Sequence, residues 1–366
     1  MPRASVPFPV AVKRLLIAAI ALTAVAAFAE DPPAPPLGER ADKLIKEALP
    51  VCSEAVKTSR VGLQHKLPVN LTGAVIRLES ERQACAGQWV ALTSREGGFF
   101  LGVPWFLDNV TGTPEAKLRA FAWTNLQQHF DAVVDKRPTR DGFYPVTMSQ
   151  LTERGKMPMQ GEIDPTASVL FIGHFFPIGA DYLESRLKYF QPFIDNSPVT
   201  GAAKPVVTVV EFSDFECPSC QHAASYMKPI LQKYPDQVRY VRYDVPLVTI
   251  HPWAYAAAVA GRAIWRQKPE AFWQYKEQVY ANQEKLSAFT FDDFARGFAQ
   301  DHELDMKKYD VDVVSPEIQQ SILCGAGTAF SNDVRATPTY MVNGAMIDPG
   351  TEGKALESYV AGLVKK

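Results

Sequence analysis

Glu211-Phe212-Ser213-Asp214-Phe215-Glu216-Cys217-Pro218-Ser219-Cys220 closes a run that begins at Val206 and is nearly all apolar and β-branched. Such a run suits a central strand covered on both faces. The residues after it, as far as Lys233, fit a helix, so the two cysteines open that helix and lie about one turn apart. Disulfide exchange needs a thiolate that attacks and a second thiol close enough to resolve the mixed disulfide. The helix start favours the thiolate of Cys217, and Cys220, one turn further in, is the candidate resolving thiol. Pro218 fits the first helical position, where its missing N–H costs nothing. Ser219 completes the dipeptide between the cysteines. Asp214 and Glu216 act the other way, since nearby carboxylates disfavour a thiolate. A permanent structural disulfide and half of a metal site are the competing readings. A four-thiolate zinc site wants a second close pair, whereas Cys52, Cys85 and Cys324 are isolated singles, so no metal is assigned.

Further along, Val238 to Asp244 reads as a second strand, and a mostly helical block follows over about 250–330. It contains Tyr255 to Trp265, Glu270 to Asn282, a capping-box pattern at Thr290-Phe-Asp-Asp293, and a helix start at Ser315-Pro316-Glu317. Thr339 to Val342 and Ala345 to Ile347 read as a hairpin turning at Asn343-Gly344, and Glu352 to Val364 as a closing helix. Strand, helix, strand, helical insertion, two strands and a helix is the order of an α/β thioredoxin fold with an inserted helical subdomain.

The stretch from Glu211 to Cys220, together with Ala336-Thr337-Pro338-Thr339-Tyr340 and Asn343-Gly344, resembles the DsbA-like thiol:disulfide oxidoreductases of the thioredoxin superfamily. The resemblance covers about residues 204–366. It implies that Pro338 is a cis proline facing the cysteine pair and that the backbone of Thr337 pairs with an extended substrate. A proline at a strand start leaves such an edge open for β-augmentation. DsbA-like proteins often carry a histidine where His251 stands. Its default role is helix capping or packing, and tuning of the thiolate is the sharper one. The dipeptide here is Pro-Ser where thioredoxin has Gly-Pro, which leaves the direction of electron transfer open. Threonine before the proline occurs in DsbC and DsbG as well as in DsbA-like members, so oxidase and isomerase or reductase both stand.

The first half of the chain has no such resemblance. Arg3, Lys13 and Arg14 precede an apolar run ending near Ala27-Phe28-Ala29, which reads as a signal peptide over 1–29. A proline-rich lead over 30–40 should be extended and mobile. Residues 41–195 read as an α+β domain of unknown role. Its helices are expected over 39–59, interrupted or ended at Pro50, over 114–129 and over 181–193, the last as a connector, and its strands over 69–78, 88–94 and 168–174. A linker is placed at 196–205 and the thioredoxin domain at 206–366. In an exported setting Cys52 and Cys85 are expected to form a structural disulfide. Cys324 is expected to be a buried small hydrophobe, and His174 a satisfied core histidine. Gly325-Ala-Gly327 is a weak phosphate-loop fragment because no strand leads into it. Trp253, Trp265, Phe272 and Trp273 read as core.

At 366 residues, 47% hydrophobic and 21% charged, the composition is that of a globular protein of about two domains. Without residues 1–29 the chain carries 35 basic and 40 acidic residues, a net charge of −5 that offers no footprint for nucleic acid. The expectation is an exported, periplasmic thiol:disulfide oxidoreductase acting on protein or peptide substrates. It needs no organic cofactor, but it needs a redox partner, membrane-bound or free, and the N-terminal domain is a route to oligomers. The alternative is a periplasmic binding or chaperone-like protein whose cysteine pair is structural.

Overall fold

The computed structural model describes residues 32–365, so the signal-peptide reading of 1–29 lies outside the described residues. Helix α1 (Glu39–Ala48) packs its apolar stripe, Ala41, Leu44, Ile45 and Ala48, onto a first antiparallel sheet. That sheet comprises β1 (Lys57–Gly62), β2 (Leu71–Glu79), β3 (Gly87–Ser94), β4 (Gly98–Gly102) and β10 (Phe176–Pro177), in that spatial order. A second antiparallel sheet runs β5 (Pro104–Phe106), β9 (Val169–Ile172), β8 (Gly155–Ile163), β7 (Tyr144–Thr152), β6 (Phe130–Val134), and helix α2 (Pro114–Leu126) covers it with Leu118 and Ala122.

The third sheet has the order β11 (Val199–Gly201), β13 (Val238–Asp244), β12 (Val207–Ser213), β14 (Thr339–Val342), β15 (Ala345–Ile347). Strands β12 and β13 pair parallel, and β14 pairs antiparallel with β12, which is the thioredoxin-like arrangement. The central β12 is buried on both faces, as its apolar composition requires. One face packs on α3 (Tyr182–Ile194) and α10 (Pro316–Ser331). The other packs on α5 (Met227–Lys233) and α11 (Lys354–Val364). Helices α6 (Ala254–Gln267), α7 (Pro269–Ala281), α8 (Phe291–Asp301) and α9 (Met306–Asp312) complete the insertion. In the β14–β15 turn Asn343 and Gly344 both have positive φ, 47° and 89°, the backbone a two-residue type I′ turn demands.

Several expectations are corrected. The segment read as a linker contains β11, which pairs antiparallel with β13. The helix read as a connector, α3, packs Phe190 and Ile194 onto the thioredoxin sheet. The proline-rich lead is docked from Pro32 onward, because Gly62 N–H donates to the Pro32 carbonyl at 2.6 Å and Arg60 donates to the Pro35 carbonyl at 2.9 Å, while Leu37 is buried. Thr290 does not cap α8; its hydroxyl accepts from Ser287 N–H at 3.1 Å. Ser315 likewise makes no side-chain cap, and Pro316 alone begins α10. Gly325 and Gly327 lie inside α10. A Cβ on Gly327 would stand 1.9 Å from the Pro158 carbonyl oxygen, so this glycine lets β8 of the N-terminal part press against the helix.

The two halves are joined at the sheet edge. Val51 bridges to Ile347, with Val51 N–H donating to Met346 at 2.8 Å and Asp348 N–H to Val51 at 2.9 Å. The buried Asp348 carboxylate receives a two-pronged bond from Arg82, at 2.6 and 2.7 Å, and a hydroxyl from Ser53. A disulfide between Cys52 and Cys85, with Cα atoms 5.9 Å apart, ties together the two segments that carry these groups. The loop it closes spans 33 residues, and chain entropy assigns such a closure roughly 3–4 kcal/mol. A Cys52→Ala, Cys85→Ala double variant is expected to lose stability of that order in denaturant unfolding, and an unchanged midpoint would remove the disulfide from the account.

Candidate redox site

The candidate redox site stands where β12 ends. Cys217 is the N-cap of the short helix α4 (Pro218–Ala223), with Pro218 at its first position and Cys220 one turn in. Pro218 and Ser219 are exposed, Cys217 is nearly buried at 7% exposure and Cys220 is fully buried. Both are free thiols. The Thr337–Pro338 peptide bond is cis, and Cys217 Sγ lies 3.3 Å from the Thr337 carbonyl. The Thr337 hydroxyl is buried without a hydrogen-bond partner among the described residues.

Two opposed effects separate the thiols. A hydrogen bond from Cys220 lowers the Cys217 pKa against the cost of burial, bringing it to about 6. Burial, with the bond given to Cys217, pushes Cys220 well above the ordinary thiol range. A thiol with a pKa near 6 is largely thiolate at neutral pH, and the buried partner stays protonated.

Asp214 is buried within this loop. Its carboxylate accepts from Glu216 N–H at 2.7 Å, from Leu247 N–H at 2.7 Å, and lies 2.8 Å from His251 Nδ1. Burial acts to lower the His251 pKa, but the bond to Asp214 together with the negative charges of Asp214, Cys217 and Glu216 outweighs it, and the pKa is raised. His251 therefore bonds the Asp214 carboxylate beside the pair rather than capping a helix. Glu216 does the capping instead, because its Oε2 accepts from Trp253 N–H at 2.7 Å and Ala254 N–H at 3.0 Å at the start of α6. Burial raises its pKa.

Further residues join the site without any signal in the cysteine motif. Gln283 donates to the carbonyls of Phe215, at 2.8 Å, and Cys217, at 3.2 Å, across more than sixty residues of chain. Ser213 hydroxyl pairs with Tyr280 at 3.1 Å. Below them Lys276 donates to Tyr240 at 2.9 Å, and Tyr240 to Glu211 at 2.6 Å; burial lowers the Lys276 pKa. Arg242 lies over the Phe215 ring at 3.7 Å and pairs with Asp244, which also holds Arg262 at 2.7 Å. These bonds fix the loop before Cys217 to the insertion and the sheet.

Other candidates are not brought to the site. Cys52 and Cys85 are joined at the sheet edge. Cys324 is half-buried on α10 rather than enclosed, and its burial raises the thiol pKa. His174 is not a satisfied core residue. Its Nε2 has no partner among the described residues, its Nδ1 is 3.9 Å from Glu162, and burial lowers its pKa to about 4. Trp253, Phe272, Trp265 and Trp273 all pack in or against the apolar core of the insertion, which also holds both cysteines.

Comparison with known proteins places this half of the chain. Residues 194–361 match the family described as "Thioredoxin". Disulfide bond formation protein D of Bacillus subtilis is 35% identical over 94 residues, 25% of this chain and 42% of that protein. Na(+)/H(+) antiporter NhaA 3 of Salinispora tropica is 34% identical over 150 residues, 41% of this chain. The chain spans only 22% of the length of that relative. The crystal structure of oxidised BdbD from Bacillus subtilis superposes with a TM-score of 0.41 at 22% identity, covering 47% of this chain and 95% of that one. Residues 194–361 thus match the thioredoxin family over the same stretch that carries the thioredoxin-like sheet.

In the reduced protein, alkylation of Cys217 is expected to follow a titration with its midpoint near 6, with Cys220 unreactive. His251→Ala should move that midpoint upward, because it removes the ring that bonds the Asp214 carboxylate, whose charge raises the Cys217 pKa. A wild-type midpoint at the ordinary thiol value of about 8.5 would contradict the assignment.

Proposed function

We propose that the chain is an exported thiol:disulfide oxidoreductase acting on protein or peptide substrates through Cys217 and Cys220. The observation that carries the reading is Cys217 itself, an N-cap thiol with a pKa of about 6 set against a buried, protonated Cys220 and the cis-Pro338 turn. A substrate thiolate attacks Cys217 in the disulfide form, the Cys217–Cys220 bond breaks, and Cys220 leaves as a thiolate and takes a proton. A second substrate thiolate then attacks the substrate sulfur of the mixed disulfide and releases the Cys217 thiolate. The substrate loses two electrons and the pair gains them; a partner dithiol–disulfide protein takes them away. The stabilised Cys217 thiolate favours the reduced pair, which supports an oxidising poise. Thr337 offers its backbone to the extended substrate, as an open edge beside a strand start can.

The signal-peptide reading of residues 1–29, the Cys52–Cys85 bond and the similarity to a disulfide bond formation protein support export. Among the described residues no helix is long and apolar enough to cross a membrane. The first two sheets, taken as a separate α+β domain over about 41–195, hold the thioredoxin domain at its edge.

Oxidative refolding of a reduced two-disulfide substrate tests the reading. Cys217→Ser and Cys220→Ser should each reduce the rate to that of the uncatalysed reaction, and the free Cys217 thiolate of Cys220→Ser should trap a disulfide-bonded substrate as a mixed disulfide. Full activity in Cys217→Ser would favour a binding or chaperone-like protein instead.

A further inference from the structure

A half-enclosed cavity of about 340 Å³ lies between the N-terminal sheets and the thioredoxin sheet. This is within the range of sites that hold small ligands or side chains, roughly 300–1,000 Å³. Trp105, Met159, Ile172 and His174 line it from one side, and the stretches 246–249 and 330–335 from the other.

The second pair of walls matters most. The stretch 246–249 ends two residues before His251, and 330–335 ends two residues before Thr337. Both are held in place. Leu247 N–H donates to Asp214, and Asp333 accepts from Trp89 Nε1 at 2.7 Å while Arg335 lies over the Trp89 ring at 4.6 Å. The cavity is thus joined through short, anchored segments to the Asp214–His251 pair and to the edge where an extended chain would pair.

The lining is more apolar than polar, and three of its polar side chains, His174, Trp105 and Arg335, have a buried atom without a hydrogen-bond partner among the described residues. In His174 and Trp105 these atoms are Nε2 and Nε1. An unpaired buried donor or acceptor costs roughly 1–3 kcal/mol, which a ligand with its own polar groups would relieve. His174 is neutral at physiological pH, so its ring presents no charge to be neutralised. An apolar side chain flanked by peptide N–H and C=O groups has this combination.

We propose that this cavity receives a large apolar side chain of the substrate polypeptide near its reacting cysteine, with the adjoining peptide groups bonded to His174 and Trp105. The inference rests on the oxidoreductase reading and assigns the N-terminal half a part in substrate selection. The chain pairs its backbone at Thr337, follows the stretch 330–335, and places the side chain between the two halves.

The probes are two short cysteine peptides that differ only in a phenylalanine or an alanine near the cysteine, with glutathione as a third. The unmodified protein should exchange with the phenylalanine peptide at least tenfold faster than with the alanine peptide. Met159→Trp and Leu126→Trp, which fill the cavity from two different elements, should abolish that difference and leave glutathione exchange unchanged. Unchanged glutathione exchange also shows that the variants fold around an intact site. Equal rates for the two peptides, or a preference that survives both filled variants, would overturn the pocket alone. Failure of the unmodified protein to exchange even with glutathione would instead overturn the oxidoreductase reading and this inference with it.

Discussion

One buried carboxylate, Asp214, sets the geometry at the redox centre. A charge removed from water must be paired and hydrogen-bonded, or it costs several kcal/mol. Asp214 meets that demand with the Glu216 and Leu247 amides and the His251 ring, one group from each of three segments. The loop before Cys217, the loop after β13 and the entry to the insertion are thereby locked together. The same contacts place the His251 ring, its pKa raised, beside a thiol whose anion must be favoured. Glu216, which from its position alone would oppose the thiolate, is turned to the start of α6 and spends its charge there.

The N-terminal half is held by a second buried carboxylate. Asp348, just after β15, binds Arg82 and Ser53, and the disulfide between Cys52 and Cys85 keeps those partners together. A glycine in α10 admits β8 to backbone distance, and Trp89 grips the stretch leading to Thr337. The two halves therefore touch at the sheet edge, at α10 and at the approach to the cis proline. The last of these brings the N-terminal half up to the approach of the Thr337–Pro338 bond.

What was legible in the sequence was local. The apolar run into Cys217, the proline at N1, the Asn343-Gly344 turn and the helical spacing of the insertion each depend on neighbours within a turn or a strand, and the thioredoxin-like order of elements followed from them. Contacts between distant segments were not legible. The strand at 199–201 looked like a linker because three residues of β11 carry no pattern and form only by pairing with β13. The exposure of Cys324 and the unsatisfied His174 depend on which helix and which sheet pack against them. Gln283 at the Cys217 carbonyl and Glu216 as a cap likewise arise only once the insertion folds back over the motif.

The central claim is that the protein favours the reduced pair by stabilising the Cys217 thiolate. The most direct measurement is the equilibrium reduction potential of Cys217–Cys220 against glutathione at neutral pH. A nucleophile with a pKa of about 6 lies between those of thioredoxin, about 7, and DsbA, about 3.5. The potential should accordingly fall between their values of about −270 and −120 mV. A potential at or below that of thioredoxin would contradict the account.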